Sequence, residues 1–457
     1  MREPLSLFPG DDVLGLMTDF YELTMVAGYW STGHMPRATF EAFVRALPPN
    51  RQYLLTAGLE QAVHYLLNLQ FTGRDIDWLR SLDEFRHVKP GFWNYLRAFR
   101  FDGDVWAVPE GTVIFGGEPL VRIAASLPVA QLVETYLLTT LNVQTLIATK
   151  AARICDAAEG RPVVDFGARR AHGPQAGLLA ARASFIGGCV GTSNVHAART
   201  LGIKPVGTQA HSWIMSYDDE FQAFQAYADV FPQNTICLID TYDTMEGART
   251  AARLGHVLKG VRLDSGDLVQ LSHKVRCVLD EAGLNHVKIV GSSDLNEFTI
   301  REMLAAGARI DLFGVGTDMV TSKDQPALSV VYKLVEIEKD GAPRPVVKLS
   351  AGKATLGGAK QLFRFHDGSG RFCRDVLAKA DETLEGGEAL MVPVIHSGKL
   401  VAELPDLTAI RQRAQQQIGS LPPHLREFRG LADYPVGLSD GLRRVQENPV
   451  QGVQYDI

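Results

Sequence analysis

The sequence predicts an α/β barrel attached to α+β structure, and three observations carry that reading. From Val163 to Val320, short apolar runs alternate with helix-patterned segments in the βαβ manner. In each of seven such runs, glycines, hydroxyls and charged residues fall just after the apolar stretch, the end at which α/β barrels build their sites. Upstream, between Asp102 and Leu127, β-rich runs are separated by Pro-Glu-Gly and Gly-Gly-Glu-Pro turns, the pattern of an antiparallel meander.

A chain of 457 residues, 46% hydrophobic and 21% charged, is long enough for a sizeable core without staples. Forty-six Lys and Arg stand against 52 Asp and Glu, a net charge of -6, so bulk electrostatics favours neither nucleic acid nor an anionic membrane. Any anion must be met locally. The five cysteines (Cys155, Cys189, Cys237, Cys277, Cys373) are scattered, with no Cys-x-x-Cys, which fits reduced thiols and a cytoplasmic setting. Met1-Arg2-Glu3-Pro4 is not followed by an apolar leader, and no apolar run approaches the roughly 18 to 20 residues of a membrane span. The expectation is a chain neither exported nor anchored.

Taken in order, Asp11-Asp12 is placed to cap a helix through Leu14, Met17, Tyr21, Leu23 and Ala27. Residues 37–46 read as a strand, and Leu59, Val63, Leu66 and Leu67 as the apolar stripe of a helix. The meander places runs at 105–108, 113–115 and 120–123, and a long helix over about 129–158 leaves it. The barrel runs then end in Asp165-Phe166-Gly167, Gly191-Thr192-Ser193-Asn194, Val206-Gly207-Thr208, Asp240-Thr241, Asp264-Ser265-Gly266-Asp267, Gly291-Ser292-Ser293-Asp294 and Gly314-Val315-Gly316-Thr317.

Around these ends the chemistry gathers. Ile203-Lys204-Pro205-Val206 reads as a β-like run that delivers Thr208, His211 and Ser212 to a pocket. Turns alone require Gly, Asn and Asp, not Arg169, His211 and Arg262 at matching positions. Gly291-Ser292-Ser293 and Gly314-Val315-Gly316-Thr317 offer amides and hydroxyls to a phosphate monoester. Arg169, Arg170 and Arg262 supply guanidinium forks, and Asp240, Asp264 and Asp267 hard oxygens for Mg²⁺ or ribose hydroxyls. Together they point to a metal-bound sugar phosphate. No P-loop and no strand-linked Gly-x-Gly-x-x-Gly is present, which excludes both nucleotide folds that use them.

The runs Met17-Thr18-Asp19-Phe20-Tyr21-Glu22-Leu23-Thr24-Met25, Asp165-Phe166-Gly167-Ala168-Arg169-Arg170, Gly191-Thr192-Ser193-Asn194-Val195, Gly207-Thr208-Gln209-Ala210-His211-Ser212 and Val261-Arg262-Leu263-Asp264-Ser265-Gly266-Asp267 resemble nicotinate phosphoribosyltransferases. The resemblance runs from about residue 15 to 365 and is weaker from Phe365 onward. It implies a type II phosphoribosyltransferase fold: an irregular α/β barrel over 146–335, an α+β domain over 1–145, and a segment, 336–457, that returns to it. It also implies a homodimer with shared active sites, and transfer of phosphoribose from phosphoribosyl pyrophosphate to nicotinate, with ATP and Mg²⁺. By the same resemblance, His211 takes the ATP-derived phosphate, Asp240 orients it, and Asp240 with Asp264 reaches ribose hydroxyls or Mg²⁺. Phe166 and Tyr21 sandwich the pyridine ring, Arg262 meets its carboxylate, and Ser193 and Thr208 line its pocket. Asp19, Arg169, Gly291, Ser292, Gly314, Gly316 and Thr317 hold phosphoribosyl pyrophosphate. Nicotinamide or quinolinate phosphoribosyl transfer on the same fold, and a non-catalytic pyridine-nucleotide sensor, are the alternatives.

Overall fold

The computed structural model describes residues 10–348, 355–430 and 433–447, so the opening Met1-Arg2-Glu3-Pro4 lies outside it. The chain divides into two compact units: residues up to Thr145 together with those from Ala327 onward, and Leu146–Pro326. No disulfide forms among the described residues. Nor is any helix among them long and apolar enough to cross a membrane.

The first unit is built on strands β1 (Arg37–Val44), β2 (Leu54–Leu55), β3 (Asp104–Ala107), β4 (Val113–Ile114) and β5 (Pro119–Ser126). β1 is central and covered on both faces, with Ala38, Phe40, Ala42 and Val44 buried on one and Thr39 and Glu41 on the other. Glu41 is tolerated there because Lys360 Nζ lies 2.9 Å from Oε2 and the Lys360 amide donates to Oε1. The meander is not continuous: β3 and β5 pair with each other, while β4 leaves them to pair with β2. The turn before β4 seats Gly111 (φ +81°) where a Cβ would meet the Ile410 carbonyl at 2.5 Å, so the chain is redirected at a glycine. The strand at Val330–Lys339, which crosses the expected boundary at 335, pairs antiparallel with β1 in this unit.

The expected first helix is two elements, a 3₁₀ segment at Asp11–Leu16 and an α-helix at Phe20–Thr32. Gly15 packs so closely on Gln70 and Phe71 that a Cβ would lie 2.5 Å from the Gln70 carbonyl, and Asp19 enters the second helix from extended backbone. Glu22, fully buried on that helix, accepts from Thr18 Oγ1 and from both the amide (3.1 Å) and hydroxyl (2.6 Å) of Thr135. Burial pushes its carboxyl up to about 7. The helix expected over 129–158 is likewise divided, into Leu127–Leu132 and Glu134–Ala157.

The second unit holds a six-stranded parallel sheet of β6 (Val163–Asp165), β7 (Gly191–Thr192), β8 (Ile236–Leu238), β9 (Gly260–Leu263), β10 (Lys288–Ser293) and β11 (Leu312–Val315). Their order is β7-β6-β11-β10-β9-β8. Beyond β7 the seventh run contributes a single parallel bridge, Thr192 to Pro205, rather than a strand. Pro205 has no N–H for a ladder, and β7 itself ends where the Ser193 amide turns to the Asp165 carbonyl at 2.8 Å. The seven positions thus follow the cyclic order of a barrel, but among the described residues no backbone ladder joins the Pro205 segment to β8. Several of the polar strand ends are helix caps: Asn194, Asp243, Asp267 and Asn296 each accept from amides in the first turn of the following helix. Asp267, expected among the metal or ribose ligands, is one of them.

Candidate active site

The carboxyl ends of the parallel strands surround a cleft with two chambers. One, about 370 Å³, is lined by Phe166, Arg169, Ser193, Thr208, His211 and Arg262, among others. The other, about 210 Å³, is lined by Arg169, Arg170, Ser293, Asp294, Gly316 and Thr317, among others. Phe166, Arg169, Arg262 and Asp264 belong to both. One chamber offers a ring face and hydroxyls, the other cations and a helix start.

Phe166 is fixed by its own strand end. The Asp165 carboxylate, buried below it, accepts from the Gly167 amide at 2.8 Å and the Thr192 hydroxyl at 2.7 Å, and burial raises its pKa. Gly314 leaves room for the ring, since a Cβ there would lie 2.4 Å from Phe166 Cδ2. Gly167 likewise makes way for Val320. The Ser193 hydroxyl faces the chamber with no hydrogen bond among the described residues.

Arg262 is the hub. Its Nε donates to Ser292 Oγ (2.7 Å), Nη1 to Thr208 Oγ1 (3.1 Å) and the Gln209 carbonyl (3.3 Å), and Nη2 to Asp264 Oδ1 (2.7 Å). Its Cζ stands 5.6 Å from the centre of the Phe166 ring. Of five N–H groups, four are engaged, so Arg262 offers a bound carboxylate one hydrogen bond and a positive charge rather than an open fork. Burial raises the Asp264 pKa, but the Ser292 hydroxyl and the Arg262 charge outweigh it and hold the carboxylate ionised below its ordinary range.

His211 opens the short helix His211–Met215 instead of sitting on a strand. Its Nδ1 lies 3.1 Å from Thr241 Oγ1, and its Nε2 lies 3.9 Å from Asp264 Oδ2. Asp240, expected to orient the imidazole, is turned instead to the next loop, where Oδ2 accepts from the Asp264 amide (2.8 Å) and the Ser265 hydroxyl (2.7 Å). Its Oδ1 is buried without a partner among the described residues. Gln209 spans the gap beside β8: its Oε1 takes the Leu238 amide at 3.4 Å, and its Nε2 is buried with no partner among the described residues.

Not every expected residue reaches the cleft. Gly291 is buried against Ile310, and Ser292 is buried in the Arg262–Asp264 network. The walls at that strand end are Ser293 and Asp294 instead, with Ser293 held at φ +141°, a conformation serine seldom adopts. The Arg169 and Arg170 guanidiniums are exposed and make no hydrogen bond among the described residues, which leaves both for an anion. Tyr21 and Asp19 lie in the other unit, Tyr21 in the first turn of its helix and 45% exposed. Sequence reasoning passed over Asp165, Gln209, Thr241 and Asp294. An acid in a buried strand and a hydroxyl next to Asp240 were the available signals for two of them.

A cleft at the carboxyl ends of an irregular parallel α/β ring, with an aromatic chamber opening onto a cationic one, is the layout of an enzyme that joins a flat base to a phosphorylated sugar. The nicotinate phosphoribosyltransferase N-terminal domain matches residues 16–142, the family's main domain 162–364, and its C-terminal domain 387–446. The last of these covers the region where the sequence resemblance weakens. The chain is 46% identical over 435 residues to nicotinate phosphoribosyltransferase pncB2 of Mycobacterium tuberculosis, covering 93% of this chain and 92% of that one. It is 40% identical over 463 residues to the nicotinate phosphoribosyltransferase of Bacillus subtilis, covering 94% of each. The crystal structure of human nicotinic acid phosphoribosyltransferase superposes with a TM-score of 0.83 at 29% identity, over 94% of this chain and 99% of that one. This chain belongs to the nicotinate phosphoribosyltransferase family.

Proposed function

We propose that the protein transfers phosphoribose from phosphoribosyl pyrophosphate to nicotinate, releasing nicotinate mononucleotide and pyrophosphate, with ATP hydrolysis coupled through phosphorylation of His211. The observation that carries this reading is the shared wall of Phe166, Arg169, Arg262 and Asp264 between the aromatic and cationic chambers. A ring stacked on Phe166 would present its nitrogen toward a sugar whose phosphates lie against Arg169, Arg170, Gly316 and Thr317.

The transfer breaks the bond from the ribose anomeric carbon to pyrophosphate oxygen as the pyridine nitrogen closes on that carbon, so positive charge grows on the sugar and negative charge on the leaving group. The ionised Asp264 supports the first, and Arg169 and Arg170 the second. Arg262 and the Ser193 hydroxyl position the base through its carboxylate. Among the described residues no three His, Cys, Asp or Glu cluster as a metal cage. Asp264 and the orphaned Asp240 Oδ1 are nevertheless the hard oxygens that suit Mg²⁺ arriving on phosphates, where it would neutralise the leaving pyrophosphate. In the tautomer whose Nδ1 donates to Thr241 Oγ1, His211 keeps its lone pair on Nε2, the nitrogen that would attack the γ-phosphate of ATP.

Incubation with phosphoribosyl pyrophosphate, Mg²⁺ and labelled nicotinate is expected to yield nicotinate mononucleotide, faster with ATP. Quinolinate or nicotinamide turned over as well as nicotinate would move the function to those bases. No product from any of the three would make the protein a binding homologue.

A further inference from the structure

The cationic chamber is walled on one side by the loop after β10, through Ser293 and Asp294, and on the other by the loop after β11, through Gly316 and Thr317. Immediately behind these residues the two loops are tied by one side-chain pair: Asn296 Nδ2 donates to Asp318 Oδ2 at 3.1 Å. Every polar side-chain atom of Asn296, and its backbone amide, is engaged. Its Oδ1 accepts from the Phe298 and Thr299 amides, both at 3.0 Å, and its own amide donates to Thr299 Oγ1 at 2.9 Å. The helix it caps is anchored at its first residue, Glu297, by Lys150 Nζ at 2.6 Å and Arg153 Nε at 3.1 Å in the buried interior.

We infer that the Asn296–Asp318 pair is a clasp that sets the width of the phosphate chamber, which makes Asn296 a positioning residue for phosphoribosyl pyrophosphate. The inference rests on the function proposed above. The cap needs only an oxygen at Oδ1, so Ser, Asp and Asn all serve it. The clasp needs a donor at the other atom, which among these Asn alone provides. The amide type is therefore required by Asp318 across the chamber, not by the helix. Asn296→Asp keeps the cap but sets two carboxylates face to face, and the loops part. Asp318→Asn alone is mild, because its amide oxygen still accepts. In the double variant the bond re-forms in the reverse direction, from the new amide at 318 to the new carboxylate at 296.

The test is calorimetric binding of phosphoribosyl pyrophosphate, with Mg²⁺, to the parent, Asn296→Asp, Asp318→Asn, the double variant and Asn296→Ser, alongside turnover. Asn296→Asp is expected to weaken binding by about 30-fold, equivalent to about 2 kcal/mol. Asn296→Ser, which removes the donor without adding charge, should weaken it by about 5-fold, and the double variant should return to within about 3-fold of the parent. The KM for nicotinate should stay within about 2-fold throughout. Unchanged binding in both Asn296 variants overturns the clasp, as does a loss that Asp318→Asn fails to rescue. Should Asn296→Asp not fold, Asn296→Ser decides alone. A parent that binds phosphoribosyl pyrophosphate without turning it over overturns the proposed function while leaving the clasp to be judged by binding, and a parent that does neither overturns both.

Discussion

Thr241, rather than a carboxylate, is the partner of His211 at Nδ1: its hydroxyl oxygen stands 3.1 Å away, while Nε2 faces Asp264 Oδ2 at 3.9 Å. A hydroxyl can accept from or donate to that nitrogen, and unlike a carboxylate it adds no counter-charge there when the imidazole becomes cationic. His211→Ala is expected to abolish ATP hydrolysis and the acid-labile phosphate on the protein, while some ATP-independent phosphoribosyl transfer survives. Thr241→Val should slow phosphorylation about 10-fold, worth about 1.4 kcal/mol, without changing the basal transfer. Single-turnover phosphorylation with labelled ATP checks both.

We propose that Ser193, which lines the aromatic chamber, decides between acid and amide. An aspartate in its place would face the substrate carboxylate, and like charges about 4 Å apart repel by about 4 kcal/mol at an effective dielectric near 20. Ser193→Asp should therefore lower kcat/KM for nicotinate at least about 100-fold, chiefly through KM, and the unaltered protein should prefer nicotinate to nicotinamide by a similar factor. Competition between the two bases in one reaction measures it.

Gly314 is held to glycine by Phe166. Gly314→Ala would drive a methyl into the ring, and overpacking of this kind costs about 1 to 3 kcal/mol unless the ring moves. Since Phe166 lines the cleft and can move into it, the expected result is a raised KM for nicotinate with a smaller change in melting temperature. An unchanged KM with a large loss of stability would place the ring outside the substrate's path.

Glu22 gives the first unit a pH dependence of known sign. Its carboxyl is pushed from the usual 4.5 up to about 7 by burial, so between those values the folded chain holds a proton that the unfolded chain has released. Stability should therefore fall as pH rises through this window and level off above it, by up to about 3 kcal/mol. Glu22→Gln should flatten the profile, as read from denaturant midpoints across pH.

Tyr21 is exposed in the first turn of its helix, and we propose that it is contributed to a partner subunit in a homodimer. Mixing inactive Tyr21→Ala with inactive Arg262→Ala should restore part of the activity through hybrid dimers. Failure despite verified subunit exchange would place the complete site within one chain.

Much of the site was legible because barrel chemistry clusters where an apolar run stops, and that boundary is local: Phe166, Ser193, Arg262 and Asp264 all stand at such stops. What was hidden depends on partners distant in sequence. Nothing near Val113 records that Leu55 competes for it, and nothing near Gly15 records that Gln70 and Phe71 pack against it. Asp267 looks like a ligand for the same reason that it caps well, a short acceptor on extended backbone. The resemblance pairs Asp240 with His211, but nothing local records which way a carboxylate rotates, and in this structure it turns to the Asp264 amide and the Ser265 hydroxyl. Thr241, one residue on, was the side chain that turned to the histidine.

The Pro205 bridge leaves the ring of the second unit with an unfastened seam. Across it, among the described residues, run only bonds that involve a side chain: Gln209 to the Leu238 amide, Arg262 to Thr208 and the Gln209 carbonyl, and His211 to Thr241. Parting such a seam forfeits no ladder, and each bond there is worth about 1 kcal/mol. The stretch that carries Thr208 and His211 is thus a hem rather than a stave, free to lift by itself while the six strands stay laced. Its amides are the ones that should exchange with solvent first, and a ligand gripping Arg262 would stitch them down.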